Sequence, residues 1–238
     1  MTERVFDEEK YIVGMFDRGV LGFPEGGLAL KSGRVTPYYH NMRSLLSYDQ
    51  RRIRDGSMPI EQQQDLIRNT IAGYAQRFME INARFDHVFG KAQAATAPMA
   101  VAAYEAGMSY LWERVPDPNK LHYGAHQELI EGHYESGQLV HLGDDNTTNG
   151  ASKIEGANVL LKVGLQAVSL TVGFDREEDA RANLEALGYE MNAVTSLSRA
   201  VPVLRDHERI DNGHVEAVIA YHEDLQRAGI NTTFSLDG

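Results

Sequence analysis

The densest set of chemistry-bearing residues lies in one run, Leu139-Val140-His141-Leu142-Gly143-Asp144-Asp145-Asn146-Thr147-Thr148-Asn149-Gly150-Ala151-Ser152. An apolar strand ends in two adjacent carboxylates, and small hydroxyl and amide residues then lead into a helix. Backbone N–H groups at a helix start, joined by the Thr148 and Ser152 hydroxyls, make a phosphate cradle. Gly150 lets the backbone approach closely. Two acids would be out of place if they met only phosphate; they suit ligand hydroxyls, or a metal seen through water. Together the parts describe a sugar-phosphate site. A strand, an Asp-Asn turn and an ordinary helix cap describe the same residues without a ligand, so the pattern by itself leaves both readings open. Neither G-x-x-x-x-G-K-[ST] nor G-x-G-x-x-G occurs, so nucleotide-loop and dinucleotide binding have no support.

The elements around this run alternate. Apolar residues near helical spacing predict an opening helix over 6–21 and a long one from Pro59 to about Asn82. Short strands are expected at 28–31 and 36–41, with a turn at Ser32-Gly33. Strands follow at 87–89, 109–113, 139–142, 166–174 and 191–197. Helices are expected at 98–105, 151–162, 177–187 and 214–227, and 115–127 reads as a loop. Strand–helix alternation of this kind argues for an α/β fold with a mostly parallel central sheet flanked by helices. Ligands of such sheets bind beyond the carboxyl ends of the strands.

Composition narrows the function. The 238 residues suffice for one large domain, and no repeat or linker divides them. With no cysteine, a disulfide scaffold, a thiolate metal site and a cysteine nucleophile are excluded, and a reducing, cytoplasmic setting fits. Asp plus Glu number 34 against 23 Lys plus Arg, and this formal charge of −11 argues against a nucleic-acid partner. No run approaches the roughly 20 apolar residues of a membrane span, and the charged start MTERVFDEEK argues against export. His122 and His126 share i,i+4 spacing but fall in the expected loop, so no histidine metal site is predicted.

The acid-pair run resembles the phosphoribosyl pyrophosphate signature of type I phosphoribosyltransferases, and three further segments resemble orotate phosphoribosyltransferases in particular. Leu30-Lys31-Ser32-Gly33-Arg34-Val35-Thr36-Pro37-Tyr38-Tyr39 is similar to their N-terminal motif, Phe174-Asp175-Arg176 to a strand end that holds orotate, and Leu129-Ile130-Glu131-Gly132 to the segment after a mobile loop. The resemblance runs from about residue 8 to about 200. It implies a small N-terminal hood over about 1–45, a single phosphoribosyltransferase domain over 1–238, and a C-terminal helical extension over about 205–238.

The resemblance also implies a reaction: the phosphoribosyl group passes from 5-phosphoribosyl 1-pyrophosphate (PRPP) to orotate, giving orotidine 5′-monophosphate and pyrophosphate. Asp144 and Asp145 would take the ribose hydroxyls. Thr148, Asn149, Gly150, Ala151 and Ser152 would wrap the 5′-phosphate. Lys31 would meet the donor's phosphates, and Lys91 would stand in for a displaced lysine of the pyrophosphate loop. Arg176 would hold orotate through paired donors, with Tyr38 and Tyr39 near the planar ring. Arg114, Lys120 and His122 would belong to the mobile loop and neutralise the leaving pyrophosphate, with His126 as a competing candidate. Mg²⁺ would be held mainly by PRPP oxygens and water. The implied assembly is a homodimer with shared active sites.

Plainer readings exist for several of these residues. Lys31 suits a solvated turn, Tyr38 and Tyr39 the two faces of a strand, and Arg176 a charge partner for Glu177, Glu178 or Asp179. The chain departs from the family at 90–98, where Ala94-Ala95-Thr96 replaces a glycine-containing turn, and at His141, Gly143 and Asn146. Rival functions are a phosphoribosyltransferase for another base and a non-catalytic PRPP sensor.

Overall fold

The computed structural model describes residues 5–30, 33–91, 94–113 and 130–236. The chain opens with helix α1 (Glu8–Asp17), started by the Asp7 side chain accepting from the Lys10 N–H. Four two-residue strands follow: β1 (Leu21–Gly22), β2 (Leu28–Ala29), β3 (Val35–Thr36) and β4 (Tyr39–His40). β1 pairs antiparallel with β4, and β2 with β3, forming small sheets apart from the main one. Next come α2 (Gln50–Arg54), the long α3 (Ile60–Glu80), β5 (His87–Gly90), α4 (Thr96–Glu105), β6 (Ser109–Glu113) and β7 (Ile130–Glu131). The rest is β8 (Leu139–Thr147), α5 (Ala151–Lys162), β9 (Gln166–Asp175), α6 (Ala180–Glu185), β10 (Glu190–Ser196), α7 (Leu197–Asp206) and α8 (Asn212–Arg227).

Among the described residues the main sheet has the order β10-β9-β8-β5-β6-β7. All neighbours are parallel except the β6–β7 pair. After β5 the chain moves one way to β6; it then returns to the other side of β5 as β8 and continues outward through β9 and β10. The order therefore reverses between β5 and β8, and a crevice opens beyond their carboxyl ends. Register places Gly90 beside Gly143, and Thr147 beside Asp175. The residues after β5, β8 and β9 thus converge on one edge.

Alternation along the strands gives each face its own core. Val88 joins Tyr74, Phe78, Met99 and Val194 on the side covered by α1, α3, α4 and α7. Phe89, Val140 and Leu142 join Ala157, Leu160 and Leu184 beneath α5 and α6. His141, on the face opposite its two neighbours, is fully buried near Phe78 and Phe85. Its ring nitrogens bond Ser169 Oγ at 2.8 Å and Thr171 Oγ1 at 2.9 Å. Thr171 donates on to Asn192 Oδ1, and Asn192 donates to the Arg77 carbonyl, so a polar ladder ties three strands to α3.

Burial pulls the His141 imidazole down to about 3, and burial with the Arg176 charge pulls His40 to about 3 and His222 to about 4. Below the ordinary value near 6.5 the unfolded chain binds these protons and the folded chain does not, so stability falls as pH falls. The loss is about 1.4 kcal/mol per pH unit for each such histidine until its folded value is reached. The thermal midpoint should drop between pH 7 and pH 5, and His141→Gln should show a smaller drop over that range in calorimetric scans.

Candidate active site

The two acids stand near the end of β8, still within the strand: Asp144 pairs with Val172 and Asn146 with Phe174. Each carboxylate turns one oxygen onto the next backbone N–H, Asp144 Oδ1 to Asp145 and Asp145 Oδ1 to Asn146, both at 2.8 Å. Tyr74 of α3 donates to the Asp144 carbonyl at 3.0 Å. That approach needs Gly173, where a Cβ would lie 2.2 Å from the Tyr74 hydroxyl. Burial and the neighbouring Asp144 charge raise the Asp145 carboxyl to about 6, against the opposing pull of Lys153.

Residues 148–152 form the turn into α5. Gly150 occupies the left-handed region (φ 80°) at the helix N-cap, so a side chain there would be strained. Thr148, Asn149, Ala151 and Ser152 are exposed. Asn149 Oδ1 accepts the Ala151 N–H at 3.1 Å, while the N–H groups of Asn149, Gly150 and Ser152 make no hydrogen bond to the described residues. Three open donors, two hydroxyls and the positive end of a 12-residue helix form an anion cradle.

Lys91 follows β5 and lies across from Asp144, its N–H donating to the Gly143 carbonyl. Its ammonium meets Glu155 of α5 at 3.4 Å. Arg176 follows β9, side by side with the acid strand. The guanidinium is buried, donates from Nε to Glu178 at 2.9 Å and from Nη2 to Thr36 Oγ1 at 3.2 Å, and lies 4.4 Å above the Tyr38 ring. Burial pulls its pKa down, but Tyr38 and Glu178 outweigh that and hold the charge. The charge partner in the acidic run is thus Glu178.

The strand expected over 36–41 is broken between β3 and β4, with Tyr38 fully buried in the break and Tyr39 half-buried at the start of β4. Tyr38 packs edge-on to Tyr221 at 6.0 Å and parallel to His222 at 6.4 Å, so α8 forms a wall behind Arg176. The hydroxyls of Tyr38 and Tyr221 each reach Glu178 Oε1 at 3.4 Å. The structure therefore brings together Asp144, Asp145, Thr148, Asn149, Gly150, Ala151, Ser152, Lys91 and, beside them, Arg176 with Tyr38. Lys31, Arg114, Lys120, His122 and His126 lie outside the described residues.

Sequence reasoning missed three participants and named Glu178 only as one of three charge partners for Arg176. Lys153 and Glu178 are buried charges that bond site residues. Tyr74 comes from a distant helix. His40 stacks on Phe174 at 4.8 Å, its carbonyl accepts from Asn146 Nδ2, and its two ring nitrogens have no partner among the described residues. Of the three missed, only His40 had a local signal, as the next residue of the expected strand.

Comparison with known proteins places this geometry. No family model matches the chain. Uridine 5′-monophosphate synthase of Bos taurus is 28% identical over 225 residues, covering 94% of this chain and 42% of that protein. Orotate phosphoribosyltransferase of Pyrococcus horikoshii is 28% identical over 184 residues, covering 76% of this chain and 89% of its own. The chain is thus similar in sequence to orotate phosphoribosyltransferases over most of its length. The solved structure of Leishmania donovani UMP synthase matches with a TM-score of 0.72 at 25% identity, over 90% of this chain and 42% of that one. The fold is accordingly of the type I phosphoribosyltransferase kind. The chain spans less than half the length of these two synthases. No described helix is long and apolar enough to cross a membrane.

Proposed function

We propose that the protein transfers the phosphoribosyl group from PRPP to orotate, giving orotidine 5′-monophosphate and pyrophosphate, a step of pyrimidine nucleotide synthesis. One observation carries the reading: an acid pair, an open N–H cradle and a fixed arginine meet at the point where the strand order reverses. The sequence similarity to orotate phosphoribosyltransferases supports it.

The bond to the pyrophosphate oxygen at C1′ breaks with its electron pair leaving on pyrophosphate. Orotate N1 forms the new bond and releases its proton. The transition state has oxocarbenium character, so the protein's work is to hold both partners, place negative charge near the ribose and exclude water. The acid pair receives the ribose hydroxyls, and Thr148, Asn149, Gly150, Ala151 and Ser152 receive the 5′-phosphate. Arg176, fixed by Glu178 and Thr36, is the cation for the orotate carboxylate, and Tyr38 acts on the base through Arg176. Tyr39 flanks the ring. Lys31, Lys91, Arg114, Lys120 and His122 neutralise the pyrophosphate. Residues 1–238 act as one domain, with a hood over about 1–45 and a helical extension over about 205–238.

The acid pair offers hard carboxylate oxygens beside the cradle, with Asp144 already tied to an ammonium. Such a site suits a hard cation that keeps its water and the donor's own oxygens, which is Mg²⁺ chemistry. Mg²⁺ bound with PRPP would supply charge to the leaving pyrophosphate. We further propose a cytoplasmic homodimer that shares its active sites.

The test is loss of orotate's ultraviolet absorbance on mixing the protein with orotate, PRPP and Mg²⁺. Turnover is expected. Donor binding without turnover would redirect the reading to another base or to a sensor. Lys120→Ala should lower kcat at least about ten-fold if Lys120 neutralises the leaving group; unchanged kcat would remove it from the site.

A further inference from the structure

Resting on that functional reading, we propose that Lys153 is a positioning residue for phosphoribosyl transfer. Its ammonium ties Asp144 to the phosphate cradle, makes Asp145 the principal acid of the pair for the ribose, and turns the Ser152 hydroxyl proton outward to the 5′-phosphate.

The position is a costly one for a lysine. Lys153 is the third residue of α5, where a positive charge opposes the helix dipole, and it is buried. A buried ammonium persists only where it is paired and fully hydrogen-bonded. Its three donors have three acceptors: Asp144 Oδ2 at 2.7 Å, Ser152 Oγ at 3.1 Å and the Asn146 carbonyl. No donor remains for a ligand, so Lys153 acts through its neighbours and not by contact with substrate.

Those contacts make the two acids unequal. Asp144 is held at both carboxylate oxygens, by the Asp145 N–H and by Lys153, and at its carbonyl by Tyr74. Asp145 accepts the Asn146 N–H through Oδ1, makes no ion pair with a described cation, and has the Asp144 carboxyl beside it. Asp145 is therefore the acid at the strand end that no ion pair holds. Ser152 Oγ accepts from the ammonium, so the one hydroxyl proton it owns is left to donate elsewhere, and the side chain is exposed at the cradle. One side chain thus aligns the ribose end and the phosphate end of the same ligand. A hydrophobic residue of similar length would fill the space but set neither.

Lys153→Met is the direct test, with PRPP and Mg²⁺ as the probe in titration calorimetry and steady-state kinetics. Donor Kd and the KM for PRPP should rise about ten-fold or more, the usual effect of removing a partner that orients a binding group. The KM for orotate should stay within about two-fold, because Arg176 and its partners are untouched. The acidic limb of the kcat/KM profile for PRPP should also move to higher pH. Asp145 is faced by Asp144, Lys153 and the buried phenols Tyr11 and Tyr74, and Lys153 is the cation among them. A merely structural role would move the orotate and PRPP constants together and leave the limb in place.

Should Lys153→Met fold poorly, Lys153→Gln takes its place, since it removes the charge but keeps amide donors beside Asp144 and Ser152. That variant should fold and show the same selective loss for PRPP. Wild-type affinity for PRPP in either variant would overturn the role of Lys153 alone. A wild-type protein that binds no PRPP would overturn the functional reading, and the role with it.

Discussion

Arg176→Ala should abolish measurable transfer to orotate and lower the thermal midpoint by about 10 °C. Both effects arise from one buried constellation. Arg176 and Glu178 are each almost wholly buried, with side-chain exposures of 7% and 3%. Removing the guanidinium leaves Glu178, among the described residues, with the long phenol contacts from Tyr38 and Tyr221. Breaking a buried pair by deleting one partner costs about 3–5 kcal/mol, which for a chain of this size is roughly 6–20 °C. The substitution also empties the space above Tyr38, whose ring now supports the cation at 4.4 Å. A stability loss alone says nothing of function, so the double variant Arg176→Ala/Glu178→Gln is the informative one. It removes the stranded charge and should regain most of the thermal midpoint. Activity should stay absent, because the cation proposed for orotate's carboxylate is still missing. Recovery of activity along with stability would show that Arg176 serves the fold and not the base.

The frame of the protein was readable from its periodicity, and the failures have physical causes. The apolar runs of β5, β6, β9 and β10 and the helical spacing of α3 and α5 announced themselves because their side chains pack on a core. β8 runs past the expected end at Leu142, because parallel pairing with β9 is made by backbone and continues to Thr147–Asp175 whatever the side chains are. α7 lay hidden because Pro202 reads as a breaker; it holds because Leu197, Ala200, Val201 and Leu204 bury one face. The helix expected from 177 begins at Ala180, since Glu177 takes a left-handed turn (φ 58°) and its carboxylate accepts the Ser198 N–H at 2.6 Å. At the site, the acid pair and the cradle were legible because they are contiguous. Tyr74 and Lys153 were not, and Glu178 was one of three candidates, because their meaning lies in which distant or oppositely charged group each one meets.

Asp145→Asn should cut kcat/KM by about a thousand-fold while leaving the fold at least as stable at pH 7. Two losses combine in the activity. The charge-assisted hydrogen bonds proposed between the carboxylate and ribose hydroxyls would be worth roughly 1.5–3 kcal/mol each. Its negative charge beside the ribose also favours the developing oxocarbenium, as a preorganised group does in a half-buried site. The stability argument runs the opposite way. Burial and Asp144 raise the Asp145 carboxyl from near 3.8 to about 6. A carboxyl raised on folding costs stability as pH climbs through the interval between its unfolded and folded values, and the cost stays in place above it. For a shift of this size that is up to about 3 kcal/mol, an upper bound for a group so close to Lys153. Asparagine removes the cost and keeps the Asn146 N–H acceptor through its amide oxygen. The same variant should lose the acidic limb of the kcat/KM profile: wild-type activity should climb through about pH 6 as Asp145 ionises, and the residual activity of Asp145→Asn should be flat there. Steady-state rates from pH 5 to 8 with matched thermal scans decide the matter. Destabilisation in step with the rate loss would make Asp145 a structural acid, whereas a stable, nearly inactive protein with no limb near pH 6 would place its charge at the reacting ribose.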